Sequence, residues 1–97
     1  MPGYFLLCNL TEQGIRNVKD VPSRRAAARE LGKKLGVELK AGYMALGAHD
    51  VIIHAEAASD EVMARFVMSL AAKGNLRTTT VRVFDEAEAD KIIASIV

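Results

Sequence analysis

The chain opens with an apolar run, Tyr4-Phe5-Leu6-Leu7-Cys8-Asn9-Leu10, broken only by Asn9. No alternation marks one face as wet, so this first strand is expected to be covered on both sides. Thr11 follows as an N-cap, with Glu12 in the first turn where a carboxylate suits the positive helix end. Pro22 divides the helical region, because proline fits a first turn and not a helix interior. The pattern predicts a short helix to about Asp20 and a second from Pro22, in which Ser23 to Leu35 lays Ala27, Ala28, Leu31 and Leu35 on one stripe. Gly36 closes that helix as a C-terminal cap.

Val37 to Leu46 begins by alternating, with Val37, Leu39, Ala41 and Tyr43 on one side and Glu38 and Lys40 on the other. That is the signature of a half-buried strand. Gly47-Ala48 predicts a tight hairpin turn. The third strand, Asp50 to Glu56, sets Val51, Ile53 and Ala55 against Asp50, Ile52, His54 and Glu56. Ser59 caps a helix whose apolar row is Val62, Phe66 and Leu70, flanked by Met63 and Val67. Lys73-Gly74-Asn75 stops it. Leu76 to Phe84 is rich in threonine and valine and reads as the fourth strand. Asp85 can cap a last short helix carrying Ile92, Ile93 and Ile96.

The order β-α-β-β-α-β plus a terminal helix predicts an α+β, ferredoxin-like fold: a four-stranded antiparallel sheet with its helices on one face. The other face would still carry apolar residues, namely one side of the first strand with Met44, Leu46, Ile52 and Phe84. Self-association, sheet face to sheet face, is the simplest cover for such a patch. The alternative cover is the last helix folded over it.

Composition narrows the picture. With 97 residues, one domain over 1–97 is expected, and 51% hydrophobic with 26% charged residues is a globular balance. The 13 basic and 12 acidic residues leave a net charge of +1, which argues against nucleic acid and membrane surfaces as partners. The cluster Arg24, Arg25, Arg29, Lys33, Lys34 reads as a solvated helix face. Cys8 is the one cysteine, so no intrachain disulfide can form, and with no signal-like or spanning segment a cytoplasmic location is expected.

Three segments then become informative together: Asn9-Leu10-Thr11-Glu12-Gln13-Gly14-Ile15-Arg16, Gly47-Ala48-His49-Asp50-Val51-Ile52-Ile53, and Gly74-Asn75-Leu76-Arg77-Thr78. In content and spacing they resemble the GYD domain family across essentially the whole chain. The block T-x-Q-G-I-R is the most specific. The family takes its name from Gly-x-Tyr-Asp, and here His49 stands at the tyrosine position. The resemblance implies a ferredoxin-like fold assembled as a dimeric α/β barrel, and it implies no particular activity.

Candidate chemistry is sparse. His54 lies mid-strand with Glu56 two residues on, roughly 6.6 Å away, whereas Asp50 is roughly 13 Å off. Side chains of His49 and Asp50 should point to opposite faces, and Asp50 suits a turn-stabilising role. Two histidines and one cysteine without metal-ligand spacing predict no metal site. Cys8, inside the most apolar strand, reads as an inert buried thiol. No nucleotide-binding loop or serine-nucleophile motif is present, so no cofactor is expected. Asn9, Tyr43, Asp50, His54, Arg77, Thr78, Thr80 and Arg82 are the candidate pocket residues, several expected to meet on the open sheet face around His54. That set suits a small anionic or carbonyl-bearing molecule. Two functions follow: a non-enzymatic homo-oligomer that binds a small molecule or scaffolds a complex, or a cofactor-independent oxygenase or isomerase. In the second, His54 would act as base and Arg82 as anion stabiliser.

Overall fold

The computed structural model describes all residues, Met1–Val97. β1 (Gly3–Leu10) leads through α1 (Glu12–Arg16) and a 3-10 turn (Val18–Asp20) into α2 (Val21–Leu35). β2 (Val37–Met44) and β3 (Val51–Ala57) precede α3 (Asp60–Ala71), β4 (Leu76–Val83) and α4 (Glu86–Ala94). The strands form one sheet in the order β2-β3-β1-β4, with every neighbouring pair antiparallel. This is the ferredoxin-like arrangement that the element order predicts.

Capping chemistry sets the helix starts. The Thr11 hydroxyl accepts from the Gly14 N–H, and that of Ser59 from the Val62 N–H at 3.2 Å. Asp85 and Glu88 form a reciprocal capping box on α4. Gly36 ends α2 with φ at 89°, a left-handed conformation that costs glycine little.

Strand alternation then builds the core. Tyr4, Leu6 and Cys8 of β1 and Ala55 and Ala57 of β3 lie buried under the helices, against Ala28 of α2 and Met63, Phe66 and Leu70 of α3. Burying Phe66 alone contributes about 1.5–3 kcal/mol relative to leaving it in water. Gly32 seats α2 on the sheet, since a Cβ there would stand 2.6 Å from the Val37 carbonyl oxygen.

Three expectations change, and one alternative falls away. First, the pairing of β2 with β3 slips between Leu39 and Ala41. Val37 and Leu39 keep the helix side, but beyond the slip Ala41 and Tyr43 pair with His54 and Ile52 on the open side. One extra residue reverses the parity of everything after it. Second, the hairpin connection is not a two-residue turn: it runs from residue 45 to 50, closed by the Ala45 N–H on the Asp50 carbonyl at 2.8 Å. Third, the open face is made differently. Phe5 and Leu7 meet Ile52 there, joined by Val81 and Val83, which pair with Phe5 and Gly3. Met44 pairs with Val51 and falls on the helix side, and Phe84 lies 4.2 Å under the Arg82 guanidinium. Fourth, α4 buries none of its residues, so it does not close the open face. No helix is long and apolar enough to cross a membrane.

Candidate functional site

Every segment that carried the family resemblance arrives at the same end of the sheet. Antiparallel pairing puts the end of β1, the β2–β3 connection and the start of β4 side by side, and side chains lock them together. The Thr11 N–H donates to the Asn75 carbonyl at 3.1 Å, and the Thr11 hydroxyl to the Gly74 carbonyl at 2.5 Å. Gln13 Nε2 donates to the Lys73 carbonyl at 3.2 Å and to Asn75 Oδ1 at 3.0 Å. Gly14 is buried against this turn so closely that a Cβ would overlap the Asn75 carbonyl oxygen.

The middle segment is held as firmly. Asp50 Oδ2 accepts from the Leu10 N–H at 2.8 Å, while the Asp50 N–H donates to the Cys8 carbonyl at 2.9 Å. Asn9 Nδ2 donates to the Ala48 carbonyl at 2.8 Å, and Asn9 Oδ1 lies 3.0 Å from His49 Nδ1. His49 thus makes a polar contact with the strand beside it.

Under this end, between α2 and the sheet, lies a cavity of about 450 Å3. Its origin is visible in the packing. α2 is pinned to the sheet at Gly32, and toward its N-terminus Val21 and the small residues Ala27 and Ala28 line the cavity together with Leu39, Ile53 and Leu76 of the sheet. The lining is mostly apolar, with Arg24, Arg25, Arg29 and Lys73 at its polar edge and Asp50 as its one carboxylate. A volume of this size suits a small organic ligand. Arg24, Arg25 and Arg29 of the basic cluster, expected to be merely solvated, therefore border an apolar-lined concavity. Sequence reasoning missed it because the gap depends on how far α2 stands off the sheet.

Of the eight predicted pocket residues only Tyr43 and Asp50 border this cavity, and the other six do not converge on it. His54 is on the open face, stacked on Phe5 with ring centroids 5.0 Å apart, and Glu56, Tyr43, Asn9 and Arg77 share that face along different strands. Thr78, Thr80 and Arg82 pair with Cys8, Leu6 and Tyr4 and belong to the helix side. Thr79 is the hydroxyl that β4 turns to the open face. The expectation that Arg82 and His54 share a cleft is corrected by this register: the sheet itself separates them. β4 misled because its threonines give no apolar alternation to fix parity. Arg82 instead stacks between Tyr4 and Phe84, at 5.7 and 4.2 Å from their ring centroids, and reaches Glu88 at 3.9 Å. An acid–base pair built from His54 and Arg82 is not assembled here.

Two buried acids have displaced pKa values. Burial pushes the Cys8 thiol up to about 11, which keeps it protonated and poorly nucleophilic. Burial, helped by the hydrogen bond its hydroxyl donates to Asp60 at 2.5 Å, pushes Tyr4 up to about 12. Neither opens into the cavity. No group of three histidine, cysteine, aspartate or glutamate side chains comes together in metal-binding geometry.

The model of the GYD domain family matches residues 4–93. The chain belongs to this family. A relative from Thermus thermophilus, named as a glutamine synthetase and cystathionine beta-lyase binding protein, is 30% identical over 89 residues, covering 91% of this chain and 94% of its own. Solved structures of low identity share the fold. A Mycobacterium tuberculosis feast-or-famine regulatory protein, complexed with L-methionine, superposes with a TM-score of 0.67 at 14% identity over 88% of this chain. The leucine response regulatory protein of the same organism gives 0.65 at 14% over 87%. This chain spans about half of each regulator (51%). By contrast it covers 94% of a Thermus thermophilus protein of solved structure, matched over 87% of this chain with a TM-score of 0.63 and 19% identity. At such identities the likeness is one of fold. Within this GYD chain, the three signature segments form a clamp that holds one end of the sheet and borders the cavity.

Proposed function

We propose that this protein is a non-enzymatic binding domain that works as a homo-oligomer, docks on other proteins and holds a small molecule. The observation that carries the reading is the open sheet face. Phe5, Leu7, Ile52, Val81 and Val83 form its apolar centre, and no element of the chain covers them. Around this centre stand Asn9 and Arg77 at one end and Lys40, Glu38 and Glu56 at the β2 side, with Lys40 3.6 Å from Glu38 and 4.0 Å from Glu56. An apolar centre with a charged rim is the anatomy of a protein interface. A twofold pairing of two such faces makes the dimeric α/β barrel and gives each apolar residue a partner of its own kind.

The binding role is supported by the relative named for the two enzymes it binds, which aligns along nearly its whole length. Those enzymes are the first partners to test, and a cytoplasmic location belongs to the same proposal. Native mass spectrometry of the purified chain tests the assembly: a dimer or a multiple of dimers is expected. A bare monomer at micromolar concentration refutes face-to-face pairing. Co-elution with glutamine synthetase or cystathionine beta-lyase then tests docking.

A further inference from the structure

The cavity under α2 carries charge that the fold leaves unbalanced. Arg25 and Arg29 stand one turn apart, and none of the five salt bridges of the chain involves them, Arg24 or Lys73. Arg24 turns inward and donates to the Gly14 and Asn17 carbonyls at 3.1 and 3.3 Å. Asp50, the one carboxylate of the lining, is already taken by the Leu10 N–H. Like charges four residues apart on a helix repel, so Arg25 and Arg29 are a standing cost that a counter-anion would relieve. Behind these cations the walls are apolar and only half-buried, Leu39 and Ile53 among them. Gly42 adds empty space: a Cβ there would have nothing within 4 Å.

We infer that this cavity binds an amphiphilic anion, with its apolar body under α2 and its carboxylate or phosphate head on Arg25, Arg29 and Lys73. A small inorganic anion would leave the apolar walls wet. An uncharged apolar molecule would leave the guanidinium groups unanswered, and a cationic amphiphile would be repelled by them. The inference deepens the small-molecule part of the proposed function and rests on it. Because the cavity lies within one protomer, it can fail while the dimer stands, and the dimer can fail while it stands.

The test is an NMR and calorimetric titration of the full chain with decanoate, decyl phosphate, decanol and decyltrimethylammonium, all below micelle-forming concentrations. Saturable shifts at the Gly42, Ile53 and Ala28 amides are expected with the two anions, and their ratio identifies the preferred head. Decanol should bind roughly tenfold more weakly or worse, which is the worth of one charge-assisted hydrogen bond, and the cation should not bind. The exposed pair Arg25→Gln/Arg29→Gln should weaken the anions by a similar factor and leave decanol unchanged. Gly42→Phe should block both anions while the rest of the spectrum is retained. Absence of anion binding at millimolar concentration, equal affinity for decanoate, decyl phosphate and decanol, or shifts confined to Phe5, Leu7 and Ile52 would each overturn the assignment.

Discussion

Gly14→Ala separates two physical expectations of opposite sign. Gly14 sits in α1, where helix propensity alone makes alanine better by about 1 kcal/mol. The close approach of the Asn75 turn says otherwise. An added Cβ would overlap the Asn75 carbonyl oxygen and lie 3.0 Å from its carbon and 3.3 Å from its Cα. These are backbone atoms and cannot rotate away, so α1 must retreat by on the order of an ångström to restore normal contact. That retreat stretches the bonds by which Thr11 and Gln13 hold the turn. Overpacking costs about 1–3 kcal/mol and each lost hydrogen bond about 1 kcal/mol. With one such bond lost and after the propensity gain, a net loss of about 1–3 kcal/mol remains, and for a domain of this size it lowers Tm by roughly 5–20 °C. Urea denaturation followed by circular dichroism measures it, with Gly42→Ala, which meets no neighbour, as the reference that should be unchanged or slightly stabilised. A Gly14→Ala variant as stable as the wild type refutes the clamp.

Leu7→Glu, at the centre of the open face, should convert the oligomer to monomers with an unchanged far-ultraviolet spectrum; light scattering that still reports the wild-type mass contradicts face-to-face pairing. Asp50→Ala removes the acceptor of the Leu10 N–H and should cost about 1–3 kcal/mol in a denaturation experiment, and an unmoved midpoint would show the hairpin end to be held by something else. Because the folded Cys8 and Tyr4 hold their protons to about 11 and 12, against ordinary values of 9 and 10, the unfolded chain loses its protons first as pH rises. Stability from these groups is complete below about pH 9 and should fall by on the order of 2 kcal/mol per group as pH climbs to 11–12, with the denaturation midpoint flat to pH 9 and declining beyond it.

Much of the architecture was legible because local signals agreed with one another. Thr11, Ser59 and Asp85 announced helix starts, Gly36 announced an end, and the order of elements left few topologies. Faces were harder. The alternation from Val37 onward carries no mark of the slip at Lys40, so by itself it puts Ala41 and Tyr43 on the side of Val37 and Leu39, from which the slip removes them. In β4 the run Thr78-Thr79-Thr80 has no parity at all, and nothing in it tells that the sheet stands between Arg82 and His54. The cavity was out of reach for a different reason. Small residues on α2 read equally as tight packing or as empty space, and only the three-dimensional position of Gly32 decides between them. The signature segments were found as words, but their meaning as a clamp needed the contacts.

The slip in β2 has a consequence for how assembly ends. β2 is an outer strand of the sheet, with one row of backbone donors and acceptors facing away from β3. A regular, flat border of that kind invites strand after strand to add without limit, as in fibres. An extra residue mid-strand twists and offsets the row, so an incoming strand can match one half of it and not the other. Growth along the border is thereby discouraged, whereas contact through the flat side, once made, uses itself up. The same irregularity that hid Tyr43 from the sequence thus favours a finite particle over an open-ended polymer.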